Sequence, residues 1–210
     1  MKVCIVSPLP PPAGGIARWT ELVTEHLAHS PQVQVSVINT ALRLRRPQSR
    51  SVGLRLVTGS LEGVWTLLRF GQTVARARPD VVHVNVAGEL GLIRDLTLVR
   101  LAGLCGVPAV VHLHFGRIPD LARSHAWEWK LLIRLFKAAS LVIAIDSRTA
   151  ATIESACPDV TVELIPNCVA IEPSTGRVTD RRAAKSVLFV GSVLPSKGIE
   201  ELLQDRKSVV

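Results

Sequence analysis

Residues 79–114, PDVVHVNVAGELGLIRDLTLVRLAGLCGVPAVVHLH, decide the fold. Two short Val-rich runs, Asp80–Asn85 and Ala109–His114, flank a longer stretch, Glu89–Leu104, that reads as a helix. Gly106-Val-Pro leads from that helix into the second run. Continuous apolar runs suit strands covered on both faces of a sheet, so the unit predicts strand, helix and parallel strand in succession.

The same alternation extends in both directions. Upstream lie a strand, Lys2–Ser7, a Pro/Gly loop, a helix, Ile16–His29, and a strand, Val33–Ile38. An arginine-rich connection then precedes a helix from about Leu61 to Ala77, closed by Arg78-Pro79. Downstream lie a Trp-rich helix around Ser124–Ala138, a strand Leu141–Ile145, a helix Ser147–Ala156 and a strand Val160–Ile165. No internal repeat is visible. Such an order means an α/β fold with a doubly wound parallel sheet, which binds ligands at the carboxyl ends of its strands.

The chain has 210 residues, 48% hydrophobic and 20% charged, which excludes a disordered, collagen-like or coiled-coil protein. Its length falls between one and two domains. Residues 1–170 form the Rossmann-like first domain, and 171–186, containing EPSTGRVTDRRAAK, read as a linker. Residues 187–204 supply the first strand (Val187–Val190) and helix (from about Ile199) of a second domain. A lone strand–helix unit cannot bury its own faces, so it implies either a chain truncated just inside that domain or docking of the unit onto the first domain. Residues 205–210, DRKSVV, read as a non-native tail.

Mean hydropathy is +0.32, yet no apolar run approaches the ~18 residues of a membrane span. MKVCIVSPLPPP lacks the features of a signal peptide, and the four cysteines form no C-x-x-C pair. Reduced thiols in a cytoplasmic protein are the expectation.

The net charge is +8. Residues 26–79 hold eight arginines against Glu62, a net +7, five of them within 41–57. That concentration suggests either a solvated loop or an anionic partner, such as the inner face of the cell membrane. Nucleic acid is disfavoured, because aromatics are not interleaved with the arginines and tyrosine is absent. AWEWKLLIRLFK, at 126–137, reads first as a core helix with snorkelling basic residues and second as an interfacial helix on an anionic membrane.

Three features could carry chemistry. Gly14-Gly15 lies between the first strand and first helix, where glycines let backbone approach a phosphate; a tight turn is the alternative. Neither G-x-G-x-x-G nor a G-x-x-x-x-G-K-[ST] loop is present. His114 ends a strand at the ligand-binding edge, while His112 and His83 read as core histidines. A zinc hydrolase built on the three is a weak rival, lacking a further ligand at metal spacing. Lys197, in GSVLPSKG before a helix, is either a diphosphate ligand or a solvated loop lysine.

Taken in order, PPAGGIARWTELVTEHLA, RPDVVHVN, GVPAVVHLHFG, SLVIAIDSRTA, VELIPNCV and VLFVGSVLPSKGIEELL resemble a family-4 (group 1) glycosyltransferase of the GT-B fold. The resemblance spans the amino-terminal domain and the opening of the second. It implies two Rossmann-like domains facing a cleft, the first binding a glycan or glycolipid acceptor and the second a nucleotide-sugar donor. It also implies retention of anomeric configuration without a bound metal or other cofactor. On it, Gly14 and Gly15 approach the donor diphosphate or the acceptor, and His114 lies near the donor sugar as the catalytic residue. Lys197 neutralises the leaving diphosphate, and Asn85 lines the acceptor side.

Two departures stand out. Ser192 occupies the place of the family's usual arginine, and Asn167-Cys168-Val169-Ala170 replaces Asn-Gly-Val-Asp. The paired-glutamate segment of the second domain is absent. The expected function is therefore the amino-terminal part of a retaining transferase for cell-surface polysaccharide or glycolipid, inactive by itself. The alternative is a stand-alone binding module that pairs with a separate donor-domain subunit.

Overall fold

A computed structural model describes residues 1–11, 14–41, 52–168 and 198–207. The chain divides into two compact units, Met1–Ala170 and Ile171–Val210. The first holds β1 (Lys2–Ser7), α1 (Gly15–Ala28), β2 (Gln34–Asn39), α2 (Val52–Ala77), β3 (Val81–Val86) and α3 (Gly91–Leu104). It continues through β4 (Ala109–Leu113), α4 (Ile118–Arg123), α5 (Trp127–Ala138), β5 (Leu141–Ala144), α6 (Ser147–Ala156) and β6 (Val162–Leu164). In the second unit only α7 (Ile199–Lys207) and Gly198 before it are described. The expected linker, the strand at 187–190 and residues 208–210 lie outside the described residues.

All six strands are parallel, in the order β2-β1-β3-β4-β5-β6. From β1 the chain steps one way to β2, and every later crossover steps the other way. Right-handed crossovers then put α1 on one face of the sheet and the remaining helices of this unit on the opposite face. The buried apolar cluster follows that division. It joins Cys4, Val6, Val82, Val84, Val86, Val111, Leu113 and Val142 of the strands to Phe70 of α2, Leu98 of α3, Leu132 and Phe136 of α5 and Ile153 of α6. Each such side chain, fully buried, contributes about 1.5–3 kcal/mol.

Local signals set the ends of the elements. Gly106 takes a left-handed φ of 70° after α3, and Val107 N–H donates to the Ala102 carbonyl at 2.9 Å. That cap ends the helix and turns the chain into β4. Asp146 caps α6 by accepting from Thr149 N and Oγ1, both at 2.8 Å.

Two helices differ from the sequence reading. α2 begins at Val52, nine residues before the expected Leu61. Gly53 and Gly59 weaken the local helix signal by only about 1 kcal/mol each, which propagation of a long helix overcomes. α4 is an unexpected helix of 6 residues, started by Pro119 in its first turn and anchored by buried Ile118 and Leu121. Its length is too short for a periodic pattern to show.

Candidate active site

The reversal between β1 and β3 is the switch point of this sheet, where the loops after neighbouring strands depart to opposite sides and leave a crevice. Ser7 ends β1, and Asn85 lies near the end of β3. The two meet across the switch: Asn85 Nδ2 donates to Ser7 Oγ at 2.8 Å and lies 3.5 Å from Thr20 Oγ1 of α1. Ser7 and Thr20 hydroxyls are themselves hydrogen-bonded, and Thr20 Oγ1 donates to the Ile16 carbonyl at 2.8 Å. All three side chains are buried, so each polar group needs these partners.

His114 follows β4 and extends its ladder, its N–H donating to the Val86 carbonyl at 3.1 Å. Its Nε2 lies 3.1 Å from Asn85 Oδ1, an atom that can only accept. That bond places the ring proton on Nε2. Asn85 is thus a buried bracket between Ser7 and His114, and its amide is turned toward that histidine.

Because strand residues alternate in direction, His83, Asn85, His112 and His114 share the α1 face of the sheet. Trp19 of α1 lies against all three histidines, with ring centroids 5.4 Å from His83, 4.9 Å from His112 and 5.1 Å from His114. The His112 and His114 ring centroids lie 4.1 Å apart with the planes tilted by 33°, and His83 Nε2 lies 3.3 Å from His112 Nδ1. His112 Nε2 is buried with no hydrogen-bond partner among the described residues. The least costly tautomer has Nδ1–H donating to His83, which leaves Nε2 a bare lone pair instead of an orphaned N–H.

Burial holds all three rings neutral. The His83 pKa falls to about 4, with desolvation opposed by a hydrogen bond to Asn85. His112 falls to about 3, through desolvation and then the charges that His114 and His83 would carry. His114 falls to about 4, through desolvation and His83, with Asn167 pulling the other way. No group of three or more His, Cys, Asp or Glu side chains among the described residues could hold a metal ion.

A second network braces the loops beside His114. Arg117 makes a two-pronged ion pair with Glu128 of α5, Nη1 to Oε1 at 3.1 Å and Nη2 to Oε2 at 3.0 Å. Glu128 Oε2 also accepts from the Glu89 N–H at 2.9 Å, tying the loop after β3 to the loop after β4. Gly88 between them has φ 85°, and a Cβ there would lie 3.2 Å from Arg117 Nη2 and 3.3 Å from Phe115. Only glycine fits this close approach without strain.

The structure brings together two of the residues singled out from sequence, Asn85 and His114. Gly14 and Gly15 open α1 one turn before Trp19, both exposed, with nothing within 4 Å of an added Cβ. Gly14 has no side chain with which to cap this helix and the first turn holds no acid, so among the described residues the N–H groups there are open to an anion. Lys197, Ser192 and most of the 41–57 arginine stretch lie outside the described residues. Sequence reading missed Trp19, Ser7, Thr20, Arg117 and Glu128. A usable signal existed for Trp19, which sits four residues after Gly15 on the same helix face.

The family model described as Glycosyltransferase Family 4 matches residues 13–172. No curated protein matches the chain. Among solved structures, a conserved protein from Enterococcus faecalis V583 is similar at TM-score 0.33 and 10% identity, over 79% of this chain and 91% of that one. Likeness at that level carries no argument about this chain.

Proposed function

The chain belongs to glycosyltransferase family 4, and from that premise we propose that it is the acceptor-side domain of a retaining, metal-independent transferase, with the opening of its donor domain. A glycosyl group passes from a nucleotide sugar to a hydroxyl of a glycan or glycolipid, in cytoplasmic assembly of cell-surface polysaccharide or glycolipid. The bond from the anomeric carbon to the diphosphate breaks and the diphosphate leaves with the electron pair; the acceptor oxygen bonds that carbon on the same face, and its proton passes to the departing diphosphate.

The observation that carries this reading is the family match, which takes in Gly14, Gly15, Asn85 and His114 and stops short of Lys197. His114 is the catalytic residue. A ring kept neutral by burial is no acid at pH 7; with its N–H given to Asn85 Oδ1, it meets the reacting sugar as an acceptor through Nδ1 and orients a sugar hydroxyl. Asn85 serves the same site from beneath, holding the ring in place. The uncapped start of α1 receives the diphosphate or an acceptor oxygen, and Lys197 neutralises the leaving group.

Gly14→Asp tests the anion site without disturbing the fold. Its Cβ meets nothing within 4 Å, and an acid at a helix start is stabilising. The new carboxylate nevertheless occupies the N–H groups and repels phosphate. Calorimetric titration with a nucleoside diphosphate should show affinity lowered about tenfold or more. Unchanged affinity would remove the glycines from the site.

A further inference from the structure

Helix α2 is apolar on two opposite faces. Thr66, Phe70 and Val74 point into the core, with Phe70 only 1% exposed. On the other side Leu61, Val64, Trp65 and Leu68 are 56%, 55%, 59% and 58% exposed. Their spacing of three, four and seven residues sets all four on one outward stripe. One apolar face suffices for packing on a sheet, and the second apolar face of this helix is in solvent. The Trp-rich α5 is different, since Trp129, Leu132, Leu135 and Phe136 are buried.

Charge identifies what would cover the stripe. Arg69 and Arg76 flank it, both exposed, and the Arg69 guanidinium sits 5.4 Å over the Trp65 ring. Residues 26–79 as a whole hold eight arginines and Glu62, a net +7. A second copy packed face to face would set Arg69 and Arg76 against their own counterparts. An anionic bilayer matches both parts, taking the apolar side chains into its acyl boundary and the arginines among its phosphates. Tryptophan at the centre of the stripe suits that boundary, where one edge of the ring is dry and the other wet. No helix among the described residues is long and apolar enough to cross a membrane, so α2 lies along the surface.

We propose that the outward face of α2 is a docking surface for anionic lipid. The surface lies apart from the candidate site and does not depend on the transferase reading. The test is flotation of the purified chain with vesicles of phosphatidylcholine alone and with vesicles that also hold phosphatidylglycerol. The expected result is binding to the anionic vesicles that weakens with added salt. Trp65→Ser with Leu68→Ser should lower partitioning about tenfold or more, with circular dichroism unchanged. Arg69→Gln with Arg76→Gln should weaken binding to the anionic vesicles alone. Failure to bind either vesicle, or binding that survives the Trp65 and Leu68 changes, overturns the proposal. A wild-type dimer that those changes convert to monomer also overturns it, by making a second copy the occupant. Since no sugar nucleotide is present, loss of this proposal and loss of the transferase reading are separate outcomes.

Discussion

The two faces of β3 and β4 are made from alternate residues of the same short segments, and they differ in kind. One presents Val82, Val84, Val86, Val111 and Leu113, all at 0% exposure and packed into the apolar cluster. The other presents His83, Asn85, His112 and His114, joined to Ser7 and Thr20 and overlaid by Trp19. Buried polar groups satisfied by one another stabilise little in net terms, whereas buried aliphatic side chains contribute by area. An apolar cluster and a polar network thus lie on opposite sides of one sheet, set apart by a period of two residues.

Acid should break the contrast most strongly. All three histidines have folded-state pKa values below the ordinary 6.5, near 4, 3 and 4. Above pH 6.5 both folded and unfolded chains hold them neutral. Below it the unfolded chain binds protons that the folded chain refuses, so stability falls as pH falls toward 4. Each histidine held neutral adds a slope of ~1.4 kcal/mol per pH unit. Urea denaturation across pH 7 to 4 measures the fall, and His112→Leu should flatten it. An equal slope in that variant would mean that the fold does not hold His112 neutral.

A cavity on the dry face comes next. Leu113→Ala should cost about 3 kcal/mol, since the 0% exposed side chain leaves a void among tightly packed neighbours. A denaturation midpoint close to wild type would show that the two faces are not unlike in packing. Smallest in stability is His114→Ala, which removes one hydrogen bond at a half-buried strand end and should cost about 1 kcal/mol. In any preparation that transfers sugar, the same change should abolish most of the transfer. Retained transfer would move the catalytic role elsewhere.

Much of the fold is legible in the sequence because parallel strands are short, apolar and bounded by Gly or Pro. VVHVNV and AVVHL announce themselves in this way, and His114 is visible as the residue at a strand end. The rest of the site depends on register. Asn85 is 78 residues from Ser7 and 65 from Thr20, and nothing local to any of them says that they touch. His83 and His112 are readable as core residues; that they and His114 share Trp19 depends on how α1 lies across the strands. Glu128, though charged, is buried through its pairing with Arg117 eleven residues away, a partnership set by packing of α5 and not by composition.

Trp19 has an optical consequence. An indole in van der Waals reach of three imidazoles emits according to their protonation and to whatever lies beside them, so its fluorescence reports on the neighbourhood of His114 from within. A donor sugar arriving at that ring would be registered by a native chromophore 5.1 Å away, with no label attached.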